Sequence, residues 1–257
     1  MLLPSFLRRK RLRARPFPTA WQEILTEQVP LYQRLPPDDR LELHGHIQIF
    51  LQEKHFEGVA GFEVTEAARV MIAGQACLLL LHRDTDYFPS LTSVVIYPDE
   101  YRAPVSEMDE FGVVTEGFDV RSGETWEGGS LVLSWEDVLI GSRALDGYNV
   151  VLHECAHQLD AEDGLTSEDP RLPASQRQHW VTTLRSEYDS FCRAVAEQHP
   201  TLLDPYGAEH LTEFFAVATE SFFECPGEFK AAHRLLYDLL AGYYRQDPAN
   251  TYLIAAP

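Results

Sequence analysis

His153-Glu154-Cys155-Ala156-His157 sets two imidazoles four residues apart with a carboxylate between them. On a helix, four residues return the chain to nearly the same face, about 6 Å along the axis and about 40° round. Both histidines can then converge on one tetrahedral Zn²⁺. Glu154, about 100° from His153, reaches a water at such an ion without becoming a ligand, the position of a general base. Cys155 lies about 200° from His153, so it faces away and is expected to fill core.

A catalytic zinc needs a third protein ligand, with water in the fourth position. The extended metzincin pattern places Gly and then His three and six residues after the second histidine. Asp160 and Asp163 occupy those places here, which excludes that class. Asp160 shares the face of His153, but a rise of about 10 Å over seven residues is too long for one metal. It is left as a helix-end acid or as a group that orients an imidazole. Better candidates lie in Glu213-Phe214-Phe215-Ala216-Val217-Ala218-Thr219-Glu220. Glu213 and Glu220 share one face of an aromatic-rich helix, and buried carboxylates need a metal or a partner.

Asn149 to Asp160 followed by Glu213-Phe214-Phe215-Ala216-Val217 resembles the Mlc titration factor A family of zinc metallopeptidases. The similarity extends over most of the chain and includes Trp126-x-x-Gly129 and Leu133-Ser134-Trp135. The spacing from Tyr206 to Glu213 is also similar to the catalytic domain of anthrax lethal factor, a gluzincin. That resemblance implies Glu213 as the third ligand, one zinc per chain, and Tyr206 facing the reacting carbonyl. The resemblance to the Mlc titration factor A family implies a zincin-like fold and aminopeptidase activity. Position 217 is Val where thermolysin-like enzymes carry an acid, so the histidines must be oriented otherwise, with Glu220 and Asp160 available.

The expected chemistry is hydrolysis of a peptide substrate, with Glu154 moving the proton from water to the leaving amine and Tyr206 donating to the oxyanion. The family's name implies a second possibility, a regulatory protein that sequesters a transcriptional repressor of the Mlc type, with peptidase activity incidental. A pure binding module has no need of Glu154, which favours chemistry.

The elements that must hold these residues read as α+β. Helices are expected at Ala20–Val29, Asp38–His55, Thr65–Cys77, Ser175–His199, Thr212–Glu224 and Gly227–Tyr244. Strands are expected at Gly58–Val64, Ser93–Tyr97 and Ser130–Trp135, with a short β piece at Val113-Val114. The stretch Leu131–Trp135 is either sheet core or an edge to which an extended peptide could add. Asn149 should cap the zinc helix, which should stop near Gly164.

The 257 residues carry a formal net charge of −19, which argues against direct nucleic-acid binding. Six of the 21 basic residues fall between Arg8 and Arg15, so residues 16–257 stand at −25. Residues 1–15 read as a basic flexible tail and 16–257 as a single domain. No apolar run is long enough for a membrane span, and the apolar patch precedes the basic cluster, the reverse of a secretory signal. Four cysteines without a C-x-x-C pair suit a reducing compartment, and the protein is expected to be cytoplasmic.

Overall fold

The computed structural model describes residues 4–99, 101–108, 114–121, 123–126 and 129–252. Helix α1 (Ser5–Arg13) is followed by α2 (Thr19–Gln28), α3 (Pro30–Arg34) and α4 (Pro37–Glu53). Prolines at the first turns of α3 and α4 cost no hydrogen bond there, and Asp38 and Asp39 suit the positive end of α4. Strand β1 (His55–Gly58) and helix α5 (Glu66–Ala76) come next, the helix capped by Thr65, whose Oγ1 accepts from Ala68 N at 3.1 Å. Strands β2 (Ser93–Tyr97), β3 (Tyr101–Met108), β4 (Val114–Arg121), β5 (Gly123–Trp126) and β6 (Ser130–Ser134) precede α6 (Trp135–Gly141) and α7 (Val150–Asp163). The rest is helical: α8 (Ala174–Ala196), α9 (Leu211–Glu224), α10 (Pro226–Ala232), α11 (Arg234–Tyr244) and α12 (Pro248–Thr251).

The main sheet runs β1-β2-β6-β5, with β1, β2 and β6 parallel and β5 antiparallel to β6. Strands β3 and β4 form a separate antiparallel ribbon, pairing Tyr101 with Arg121 through Met108 with Val114. Val94, Ile96, Leu131 and Leu133 turn one face of the main sheet into the helical core, and Val95 and Val132 occupy the other. Gly129 sets the entry to β6. Its φ is +84°, and a Cβ at this position would lie 2.3 Å from Ser90 O, so only glycine fits. Its carbonyl accepts from Thr92 N at 2.7 Å and so fixes the β2–β6 register.

Several expectations are corrected. The segment expected as a strand over 58–64 is a reversal: Ala60 and Gly61 have φ of 52° and 86°, and Phe62 N bonds back to Val59 O at 2.9 Å. Strand β6 ends at Ser134, whose hydroxyl caps α6 by accepting from Asp137 N. Because β6 lies between β2 and β5, it offers no free edge to a peptide; among the described residues the edge strands of this sheet are β1 and β5. The single helix expected over 227–244 is broken at His233 (φ −128°, ψ 58°), and the new direction carries Tyr237 and Tyr244 to 5.0 and 5.6 Å from Phe222. Val113 lies outside the described residues.

The basic stretch read as a tail forms helix α1 here. Arg8 and Arg9 each reach Glu53 at 2.8 Å, Arg9 also holds Asp86, and Leu12 is buried. No helix among the described residues is long and apolar enough to cross a membrane.

Candidate metal centre

Helix α7 is fixed at both ends by its sequence. Asn149 Oδ1 accepts from Leu152 N at 3.1 Å, and Gly164 closes the helix in the left-handed conformation at φ 63°. Val151, Leu152, Cys155 and Ala156 are fully buried, so the helix is held from one side and presents His153 and His157 on the other. The two Nε2 atoms stand 3.1 Å apart.

Helix α9 crosses beside α7 and is anchored by Phe214, Phe215, Phe222 and Phe223, all fully buried. Its first turn delivers Glu213, whose Oε2 lies 3.0 Å from His153 Nε2 and 3.3 Å from His157 Nε2. Burial works against the charge of Glu213, but hydrogen bonds to both histidines outweigh it and hold its pKa below the usual carboxylate range.

Glu220, two turns on, is 3% exposed and takes a different part. Its Oε1 lies 2.8 Å from His153 Nδ1, and its Oε2 accepts the backbone N–H of Asn149. Burial also disfavours charge on His153, but Glu213 and Glu220 more than compensate and raise its pKa well above the ordinary value. Among the described residues both oxygens of Asp160 bond to Thr166, at 2.8 Å from the backbone N–H and 2.7 Å from the hydroxyl. It ties down the loop after α7.

A further layer was not legible in the sequence. Asn149 Nδ2 donates to Glu224 Oε1 at 2.9 Å and to Gln75 Oε1 at 2.7 Å, and Glu224 Oε2 accepts from Gly147 N at 3.1 Å. Gln75, Asn149 and Glu224 are all buried, and burial pushes the Glu224 carboxyl up to about 8. The one available signal was that Glu224 follows Glu220 by four residues and so shares its helix face.

Glu154 is 5% exposed, and its Oε2 has no hydrogen-bond partner among the described residues. Burial raises its pKa, against the pull of His153 and His157. Tyr206 sits in a short 3-10 turn, Pro205–Ala208, whose start Asp204 caps by accepting from Tyr206 N at 2.9 Å. Tyr206 is 49% exposed, and its ring lies 6.2 Å, centroid to centroid, from that of His153.

One ligand atom from each of His153, His157 and Glu213 can be chosen so that all lie within 4.8 Å of one another. Two imidazoles and one carboxylate at that separation, with an orphaned buried carboxylate oxygen on the residue after His153, fit a divalent metal ion.

A donor set of this kind on two packed helices is that of a metallopeptidase. The chain belongs to the family of glucose-regulated metallo-peptidases M90, whose model matches residues 5–245. It is 40% identical over 244 residues to the protein slr2042 of Synechocystis sp., covering 94% of this chain and 89% of that one. It is 30% identical over 231 residues to Mlc titration factor A of Escherichia fergusonii, covering 89% and 86%. The protein of the same name from Salmonella agona is 28% identical over 239 residues, covering 92% and 89%.

Proposed function

We propose that this chain is a zinc-dependent peptidase of the gluzincin type with a zincin-like fold, working as a cytoplasmic aminopeptidase. The observation that carries the reading is the convergence of His153 Nε2, His157 Nε2 and Glu213 Oε2 beside the unpartnered buried oxygen of Glu154.

In this reading His153, His157 and Glu213 hold the ion and Glu220 fixes the His153 ring through Nδ1. Bound zinc supplies a Lewis acid that polarises the scissile carbonyl and acidifies a water. Glu154 accepts the proton of the attacking water at its carboxylate and returns it to the leaving amine nitrogen. Burial raises its pKa, the direction that favours a carboxyl able to hold a proton between taking it and returning it. Tyr206 donates its hydroxyl hydrogen to the developing oxyanion. Strand β5, at the sheet edge beside α7, gives an extended peptide a backbone to pair with.

Metal analysis combined with short chromogenic peptides tests this. Zinc near one per chain and cleavage of peptides with a free amino terminus, abolished by chelation, are expected. Cleavage of amino-blocked peptides at the same rate removes the aminopeptidase assignment, and zinc-replete protein without metal removes the whole reading.

A second reading rests on the relatives named Mlc titration factor A: this chain also binds a repressor of the Mlc type. Pull-down of such a repressor by metal-free protein separates the two, since binding does not require Glu154 or the metal.

A further inference from the structure

Helix α1 lies across α4 and the segment 86–92, and beside it opens a cleft of about 740 Å³, within the usual size of small-molecule sites. Arg8, Arg11 and Arg15 follow at i, i+3 and i+7, the spacing of one helix face, with Arg15 just past the helix end. All three line the cleft, with Arg9 and Lys54 beside them.

The acids at this site are already engaged. Glu53 is shared by Arg8 and Arg9, and Asp86 is taken by Arg9. Arg11 and Arg15 are exposed and have no acid partner among the described residues. Lys54 is buried, and its Nζ donates to Phe88 O at 2.7 Å and Leu91 O at 2.6 Å. An ammonium has three donors, so one is left over. The lining thus holds five cations against two carboxylates, in a chain whose remainder from residue 16 onward stands at −25. Leu12, Pro89 and Leu91 add an apolar wall.

We propose that this cleft is a binding site for a small polyanion carrying two or more phosphate groups, gripped by Arg11 and Arg15 with Arg8 and Lys54 alongside. Guanidinium forks match phosphate oxygens two at a time, and the three arginines extend over about 10 Å of helix, the reach of a run of adjacent phosphates. A concave wall with an apolar patch suits a compact organic phosphate. A nucleic-acid backbone, by contrast, would bring the acidic remainder of the chain against its own charge.

The test uses the full chain and sodium tripolyphosphate as probe, followed by calorimetry at low salt. Saturable binding at one site per chain is expected, weakening as salt is raised. The double variant Arg11→Ala/Arg15→Ala should lose at least ~10-fold in affinity with an unchanged melting temperature. Arg11→Lys/Arg15→Lys should fall between, because charge survives and the fork does not. Arg185→Ala/Arg193→Ala, which removes two arginines of α8, should bind like wild type. No binding of tripolyphosphate, or equal losses in the α8 control, overturns the site. Sedimentation with phosphatidylcholine–phosphatidylserine vesicles forms the second arm. Capture that depends on Arg11 and Arg15, without tripolyphosphate binding, would make the face a membrane contact and overturn the small-ligand site.

Discussion

Glu220 stands behind His153, with its Oε1 2.8 Å from Nδ1, on the far side of the ring from the Nε2 that faces Glu213 and His157. Two glutamates seven residues apart on one helix therefore bracket the same imidazole. Glu213 stands where a metal ligand would be, and Glu220 stands where the ring is aimed.

Zinc content should separate these roles. Glu213→Ala leaves two histidines and is expected to be purified largely free of zinc. Glu220→Ala should retain or reload zinc while losing about 10–100-fold in affinity or activity. Zinc measured on both variants after the same dialysis decides it; the opposite ranking would move the ligand to Glu220. His153→Ala and His157→Ala should both lose the metal.

Chemistry and metal binding should come apart at Glu154. Glu154→Gln preserves shape and all three ligands, so zinc content is expected to stay at the wild-type level while turnover falls by at least ~100-fold. Near wild-type hydrolysis would remove Glu154 as the base. Tyr206→Phe should also keep its metal, with a smaller loss in kcat than in Glu154→Gln and little change in KM.

Helix α7 was legible because its signals are local: a cap at Asn149, the paired histidines and a stop at Gly164. Glu213 and Glu220 were reachable as a pair because carboxylates on an aromatic-rich helix demand a partner, and the family resemblance singled out Glu213. What the sequence hid is settled by residues far apart in the chain. Nothing near Arg9 announces that Glu53 and Asp86, 44 and 77 residues away, will hold α1 in place. The interior position of β6 depends on β5 folding back antiparallel beside it, and the break at His233 depends on where Tyr237 and Tyr244 must pack against α9. Asp160 looked available to an imidazole on helical geometry alone, yet Thr166 in the following loop claims both of its oxygens.

His44 should leave a signature in stability against pH. Its ring lies on Phe17 at 3.8 Å and 4°, its Nε2 is 2.9 Å from the Tyr32 hydroxyl, and burial lowers its pKa to about 4. Below the unfolded value of 6.5 the unfolded chain takes a proton that folded His44 refuses. The contribution is therefore present above pH 6.5 and lost as pH falls through about 4. Urea unfolding across that window should show wild type losing stability faster than His44→Gln, by at most ~1 kcal/mol per pH unit, with the partial exposure of the ring reducing it further. Parallel slopes in the two proteins would mean that His44 titrates normally in the fold.

Asn149 has two duties that a pair of substitutions can separate. As a cap it accepts from Leu152 N, and as a donor it serves Glu224 and Gln75. Asn149→Ala removes both and leaves buried carboxyl and amide oxygens without that donor, for an expected loss of about 2–4 kcal/mol in unfolding free energy. Asn149→Asp keeps the cap, and a helix N-terminus favours an acid. If capping were its whole role, the aspartate would be harmless. In the observed network the new carboxylate instead faces Glu224 Oε1 and Gln75 Oε1, both acceptors as they stand. The clash is relieved only while Glu224 holds a proton. In wild type that carboxyl is already raised to about 8, so its contribution is fully present below the unfolded carboxylate value and is lost as pH rises through 8. A facing aspartate raises it further, so Asn149→Asp should resemble wild type near pH 6 and fall progressively behind it towards pH 9. Chemical denaturation of the three proteins at those two pH values is the measurement, and an aspartate variant that tracks wild type throughout would reduce Asn149 to a helix cap.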